Sequence, residues 1–217
     1  MKKFHLEISG DYACITRPDV KKISYDVPTP SSINGICKAI FWHPNMEYQI
    51  EQIRIMNPIN YVKMNRNEVQ GKTSYRTMKP IYIEGTNRRC NSTGYFLRNV
   101  RYQVRVSIVL TRDFANLPKD EKHHMQQKYE NMFERRAIKG QHFHQPYLGC
   151  REFMANVKVL EDFTDDPIDL TKDFGIMFYG FDYTNEKNVK QTWYKAESVN
   201  GIIEVPELNS EYVLSND

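Results

Sequence analysis

Over residues 98–112 the chain alternates without a break. Val100, Tyr102, Val104, Val106, Ile108 and Leu110 fall on one side, and Arg101, Gln103, Arg105 and Ser107 fall on the other. A period of two marks a β-strand, and one of this length spans about 50 Å. A strand so long and so apolar on one side is central to a sheet, and the other segments have to be placed around it. Its second side is basic.

The neighbouring segments supply the rest of such a sheet. Phe4, Leu6 and Ile8 alternate with Lys3, His5 and Glu7, a half-buried strand that Gly10-Asp11 ends. Thr29 can cap a helix with Pro30 at its first position and Ile33, Ile36, Cys37 and Ile40 along it, stopped at His43-Pro44. Residues 47–56 alternate with a break at Gln52, so a strand with an irregularity is expected, and residues 58–64 read as another. Residues 65–94 have no clear period and are expected to be a long polar, basic loop, functional or mobile. Residues 119–139 have helical spacing, with Met125, Tyr129, Met132, Phe133 and Arg136 on the face for a sheet. Asp120 and Glu121 suit the first turn of that helix, and Arg135, Arg136 and Lys139 its end. A strand is expected near residues 151–160.

Strand, helix, two strands, helix, strand is the βαββαβ order of a ferredoxin-like or RNA-recognition-motif fold. The fold class expected is therefore α+β, with that domain over residues 1–160. Residues 161–217 add a C-terminal antiparallel β extension, with strands at 176–183, 192–199 and 201–205 and an Asn200-Gly201 hairpin turn.

The net charge of +3 conceals an asymmetry. Residues 1–151 carry 25 Lys and Arg against 13 Asp and Glu, residues 152–217 carry 5 against 14, and residues 61–105 carry 10 against 2. Basic residues this dense, interleaved with aromatics, suit a nucleic acid: cations neutralise phosphates and rings stack on bases. The acidic end reads as scaffold, or as a face for a basic protein partner. The four cysteines are scattered and no apolar run fits a signal peptide or membrane span, so a cytoplasmic chain with reduced thiols and no membrane partner is expected. Asp173-Phe174-Gly175 spells a kinase tripeptide without the other kinase motifs. Gly71-Lys72-Thr73 lacks the upstream glycine of a P-loop, since Arg66 stands there. Neither activity is expected.

Metal-free cleavage of an RNA phosphodiester needs a base for the 2′-hydroxyl, an acid for the leaving oxygen and a cation for the charged phosphorane. His124, Lys128 and Tyr129 offer that set within about one helical turn. Taken alone, the same residues read as a solvated surface helix. His142 and His144 with Cys150 suggest zinc, but no fourth ligand follows at a recognisable spacing, so neither a metal nor another cofactor is expected.

Several separated blocks resemble the Cas-five family of CRISPR-associated proteins, in its type I-C (Dvulg) subtype. They are SYDVPTPSSINGICKAIFWHP at 24–44, MNPI at 56–59 and FERRAIKGQHFHQPYLGCREF at 133–153, with Gly10-Asp11-Tyr12 and the late GIMFYGFDY at 175–183. The match covers most of residues 1–160 in order. The resemblance implies an RNA-recognition-type domain with a C-terminal β extension. It also implies an endoribonuclease that cuts CRISPR repeat hairpins in pre-crRNA without metal, then stays on the 5′ handle as a subunit of the surveillance complex, Cascade.

In the family pattern a tyrosine ends the first helix and a Lys-His pair lies on the second. Here Phe41 stands at the tyrosine, with Trp42 and His43 beside it as residues lining the site. Aligning on Glu134-Arg135 puts Lys128 on the lysine and Tyr129 on the histidine. A shifted pairing places Lys122-His123 there, with a six-residue insertion before Arg135. Three readings follow. Tyr129 serves as acid or orienting group with a base among His124, His123, His142 and His144; or Lys122 and His123 are the true pair; or the chain binds the handle and hairpin without cutting. Arg66, Lys72, Arg76, Arg88, Arg89, Arg101, Arg105, Arg135, Arg136, His142, His144 and Arg151 are the expected RNA contacts. The expected partners are the CRISPR repeat RNA or crRNA and the other Cascade subunits, with duplex DNA as a further candidate.

Overall fold

The computed structural model describes residues 1–18, 22–71, 76, 80, 82, 84, 88–111, 114, 118–183 and 189–215. Its elements are β1 (Lys3–Ala13), α1 (Pro30–Ile40), β2 (Met46–Ile55), β3 (Tyr61–Val69), β4 (Arg89–Leu110), α2 (Lys119–Ile138), β5 (Asn156–Leu160), β6 (Lys172–Asp182), β7 (Lys190–Ser198), β8 (Ile202–Glu204) and β9 (Val213–Ser215). The long alternating segment is the spine. β1 and β2 flank β4 on its two edges, β5 lies outside β1 and β8 outside β2, giving the antiparallel order β5-β1-β4-β2-β8. The register of β2 shifts between Ile50 and Gln52, at the irregularity expected from the break in alternation.

The first half of β4 runs out of this sheet and pairs with β3, from Tyr61 opposite Leu97 to Val69 opposite Arg89. The expectation of an unstructured loop over 65–94 is corrected here: residues 65–69 and 89–94 are the two strands of a projecting arm. Most of this arm is solvated on both faces, so it carries no apolar alternation to read.

Both helices cover the apolar side of the sheet. Thr29 caps α1, its hydroxyl accepting from the Ser32 N–H at 3.2 Å. α2 is seated by Phe133, which is fully buried with ring centroids 5.1 Å from both Phe4 and Tyr48. Tyr129, Glu130 and Ala137 are buried with it, while Met125 and Met132 are only partly covered. The Glu130 carboxylate is satisfied by the Lys2 N–H at 2.9 Å and the Gln126 amide at 2.8 Å.

The other side of β4 is not open. The segment after β5 crosses it as a strap. The Phe163 ring lies 4.5 Å from that of His5 and 4.4 Å beneath the Arg54 guanidinium. The Thr164 hydroxyl accepts from the Gln103 amide at 2.8 Å, and the Ile168 N–H donates to the Ile55 carbonyl at 2.9 Å. β6, β7 and β9 form a second sheet, and Met177, Tyr194 and Ala196 join the core of the first. The Asn200-Gly201 turn has φ of 50° and 76°, the left-handed pair of a type I′ hairpin, as expected. Among the described residues no helix is long and apolar enough to cross a membrane.

Candidate active site and nucleic-acid interface

The end of α1 is held from three directions. Phe41 leaves the helix in extended conformation, φ −149°, and its carbonyl accepts from the buried Tyr48 hydroxyl at 2.6 Å. From α2, the Arg136 guanidinium lies 5.3 Å over the Phe41 ring and donates to the Ile40 carbonyl at 3.4 Å. The loop beyond α2 is tied in by the Phe143 N–H, 2.8 Å from the Ala39 carbonyl. This clamp presents Trp42, which is 56% exposed, and half-buried His43. The His43 ring lies 4.8 Å from that of Tyr129, and its Nδ1 is 3.1 Å from the Tyr129 hydroxyl.

Asp120, Glu121, His124, Met125, Lys128 and Tyr129 line a cleft of about 450 Å³ along α2. The cleft presents an exposed ammonium, an exposed imidazole and a phenol only 4% exposed, with two carboxylates at the helix start. A cation, a titratable ring and a phenol lining one concave surface can offset the charge that develops on a phosphodiester and take the proton of an attacking hydroxyl. Lys128 and His124 share the cleft with Tyr129, and Phe41 and His43 meet the Tyr129 ring, with centroids at 6.1 Å and 4.8 Å; Trp42 stands between them in the chain. His123 is not part of the group: it is exposed, and its Nε2 lies 2.9 Å from the Gln127 amide nitrogen.

The expected RNA contacts divide. Arg101 is held by Glu7 at 2.7 Å and Asp165 at 2.5 Å, and Arg105 by Glu51 at 3.1 Å. The strap and these carboxylates occupy the basic side of β4. Arg88 and Arg89 are exposed at the far end of the arm, and Arg66 reaches Glu152 at 2.5 Å, tying the arm to the turn before β5. Arg76 is exposed, and Lys72 lies outside the described residues. Arg135, His142, His144 and Arg151 are exposed, whereas Arg136 packs on Phe41. Among the described residues no group of three or more His, Cys, Asp or Glu stands close enough to hold a metal ion.

Two features escaped sequence reasoning. A second cleft of about 610 Å³ at the base of the arm is lined by Asp11, Tyr12, Asn60, Tyr61, Val62, Arg98 and Asn99, gathered from the end of β1, the start of β3 and the middle of β4. The other is the bond between His43 and Tyr129. The only local sign of it was a histidine in the stop signal of α1.

Residues 4–206 match the Cas5d family model, described as CRISPR-associated protein (Cas_Cas5). The chain belongs to the Cas5d family. It is 33% identical over 230 residues to the CRISPR pre-crRNA endoribonuclease Cas5d of Mannheimia succiniciproducens, across 97% of this chain and 98% of that protein. It is 38% identical over 157 residues to the protein of the same name from Thermus thermophilus, across 71% of this chain and 63% of that one. Among solved structures it resembles a functionally uncharacterized protein from Streptococcus mutans, with TM-score 0.68 and 25% identity over 98% of this chain and 97% of that one. It also resembles a crystallised CRISPR-associated protein, with TM-score 0.69 and 24% identity over 98% and 96%. The fold shared with these structures is mixed α and β, mostly antiparallel, with two helices among the described residues of this chain.

Proposed function

We propose that this protein is a metal-independent endoribonuclease that cleaves CRISPR repeat hairpins in pre-crRNA and remains on the 5′ handle as a subunit of the type I-C surveillance complex. The observation that carries the reading is the Lys128–Tyr129 cleft in a chain of the Cas5d family, whose relatives at 33% and 38% identity are named pre-crRNA endoribonucleases. Lys128 stabilises the charged phosphorane, and Tyr129 handles a proton beside it. The product of 2′-hydroxyl attack is a 2′,3′-cyclic phosphate. Arg88 and Arg89 on the arm, with Arg135, Arg151 and the exposed His142 and His144, grip stem and handle phosphates, while Arg66, paired with Glu152, holds the arm in place. Arg101 and Arg105 serve the scaffold in this reading, because their charges are already met by carboxylates.

The strand order β5-β1-β4-β2 supports a ferredoxin-like domain over residues 1–160, with the arm inserted between the second and third sheet strands. Residues 161–217 are then an extension that covers one face of that sheet and completes its edge.

The test is cleavage of a repeat-hairpin RNA from the same locus in EDTA. Wild type should cut, Lys128→Ala and Tyr129→Phe should each lose at least about 100-fold in rate, and His123→Ala should cut normally. Loss with His123→Ala alone would move the site to Lys122 and His123. A second reading rests on Phe41, which has no hydroxyl where the family pattern carries a tyrosine: a subunit that binds the handle without cutting. Tight hairpin binding by a wild type that leaves the RNA intact would establish it.

A further inference from the structure

The Tyr129 hydroxyl and His43 Nδ1 meet at 3.1 Å across 86 residues of sequence. Nδ1 also faces the backbone N–H of Asn45 at 3.3 Å. A ring nitrogen that accepts an amide hydrogen carries none of its own, so the Asn45 contact assigns His43 Nδ1 as an acceptor. Tyr129 is therefore the donor. Its hydrogen is committed to His43, so its oxygen has only lone pairs left to offer, and the residue lines the cleft with Lys128 and His124. A group that offers a substrate lone pairs instead of a hydrogen is placed to act as a base.

We infer that Tyr129 and His43 form a proton relay, in which Tyr129 takes the proton of the RNA 2′-hydroxyl while passing its own to His43. The inference rests on the endoribonuclease reading and deepens it. The 2′-hydroxyl proton moves to Tyr129 Oη, and the Tyr129 proton moves to His43 Nδ1. The 2′-oxygen forms its bond to phosphorus, the bond from phosphorus to the 5′-oxygen breaks, and the departing oxygen takes a proton from water. The hydroxide so formed is neutralised when His43 returns the extra proton through Tyr129. Lys128 keeps its proton and offsets the phosphorane charge. Tyr129 is the catalytic residue, and His43 is a positioning residue that acts through it. Among the described residues, the other ionisable side chains around this end of α1 include Arg136 from α2 and Tyr48 from β2, both engaged by the backbone of residues 40–41, the buried Cys37 of α1, and Lys38 paired with Glu47 of β2 at 2.7 Å.

The test compares single-turnover cleavage of the repeat hairpin by wild type, His43→Asn and His43→Ala. Binding is measured in parallel on an uncleavable hairpin with a 2′-deoxy sugar at the cut. An asparagine oxygen can accept the tyrosine hydrogen bond but cannot take its proton. Both variants should cleave about 100-fold more slowly and bind within about twofold of wild type, and the acid limb of the wild-type rate against pH should vanish in His43→Asn. Near-normal cleavage by His43→Asn, with or without loss in His43→Ala, would overturn the relay and leave His43 as a prop for the tyrosine ring. If wild type itself binds without cutting, the relay falls together with the endoribonuclease reading, and the wild-type lane makes that failure recognisable.

Discussion

Phe133 sits one helical turn beyond Tyr129 and fixes how deep α2 lies. Its ring meets Phe4 of β1 and Tyr48 of β2, so the residue that seats the helix also touches the tyrosine bracing the end of α1. Phe133→Ala should cost about 3–5 kcal/mol, read as a lower urea midpoint, and should slow cleavage by letting Lys128 and Tyr129 shift. Gly149 is the opposite case, where nothing larger than hydrogen fits. Its φ is +82°, and a Cβ there would collide with the Cys14 carbonyl, whose own residue donates its N–H to Leu148 at 2.9 Å. Gly149→Ala should lower the melting temperature by more than an ordinary surface glycine replacement, because both the backbone region and the space are unsuitable. At this scale the sequence was partly readable. Lys128 and Tyr129 stood on one helix and could be found by spacing. The partner of Tyr129 could not, because a contact between residues this far apart in the chain leaves no period behind.

Among elements, the arm and the strap separate two kinds of basic surface that composition merged. The burial of β3 alternates only between exposed and half-exposed, and Arg88 and Arg89 lie at the end farthest from the sheet. Replacing both with glutamine should weaken hairpin binding and reduce the steepness of its salt dependence by up to about two counterions, with saturated cleavage unchanged. Binding titrations at several salt concentrations check this. The strap explains why the arginines of the second half of β4 do not belong with them. Their partners Glu7, Glu51 and Asp165 come from β1, β2 and the strap itself. Alternation located the second half of β4 and its two faces, and Thr29, Gln52 and Asn200-Gly201 located a cap, a bulge and a turn, because each is set by neighbours in sequence. Which face would be covered, and by what, depended on a segment that only the fold brings back.

For the molecule as a whole, the extension is fastened to the first sheet by charge as well as by packing. Asp26, in the loop before α1, accepts from Lys172 of β6 at 2.6 Å and from the Tyr61 hydroxyl at 2.5 Å. Burial pushes the Asp26 carboxyl up, but those two donors outweigh it and hold it below the ordinary carboxylate range. A carboxyl depressed in the folded state adds stability above its unfolded pKa of about 4, and that stability is lost as pH falls through the lower folded value. Asp26→Asn should therefore be less stable than wild type at pH 6, and the gap should close as pH falls below about 4. Urea midpoints at the two pH values measure it.

The small strand β8 has a consequence for how the chain is made. It completes the outer edge of β2, yet about 150 residues separate the two in sequence. At ribosomal speeds that interval lasts on the order of ten seconds, during which β1, β2 and the helices have emerged and the edge they need has not. A half-made chain therefore carries a bare strand edge, open to the wrong neighbour, until its last quarter arrives. Production of the protein is then sensitive to how quickly the tail is translated and to what shields the nascent chain meanwhile.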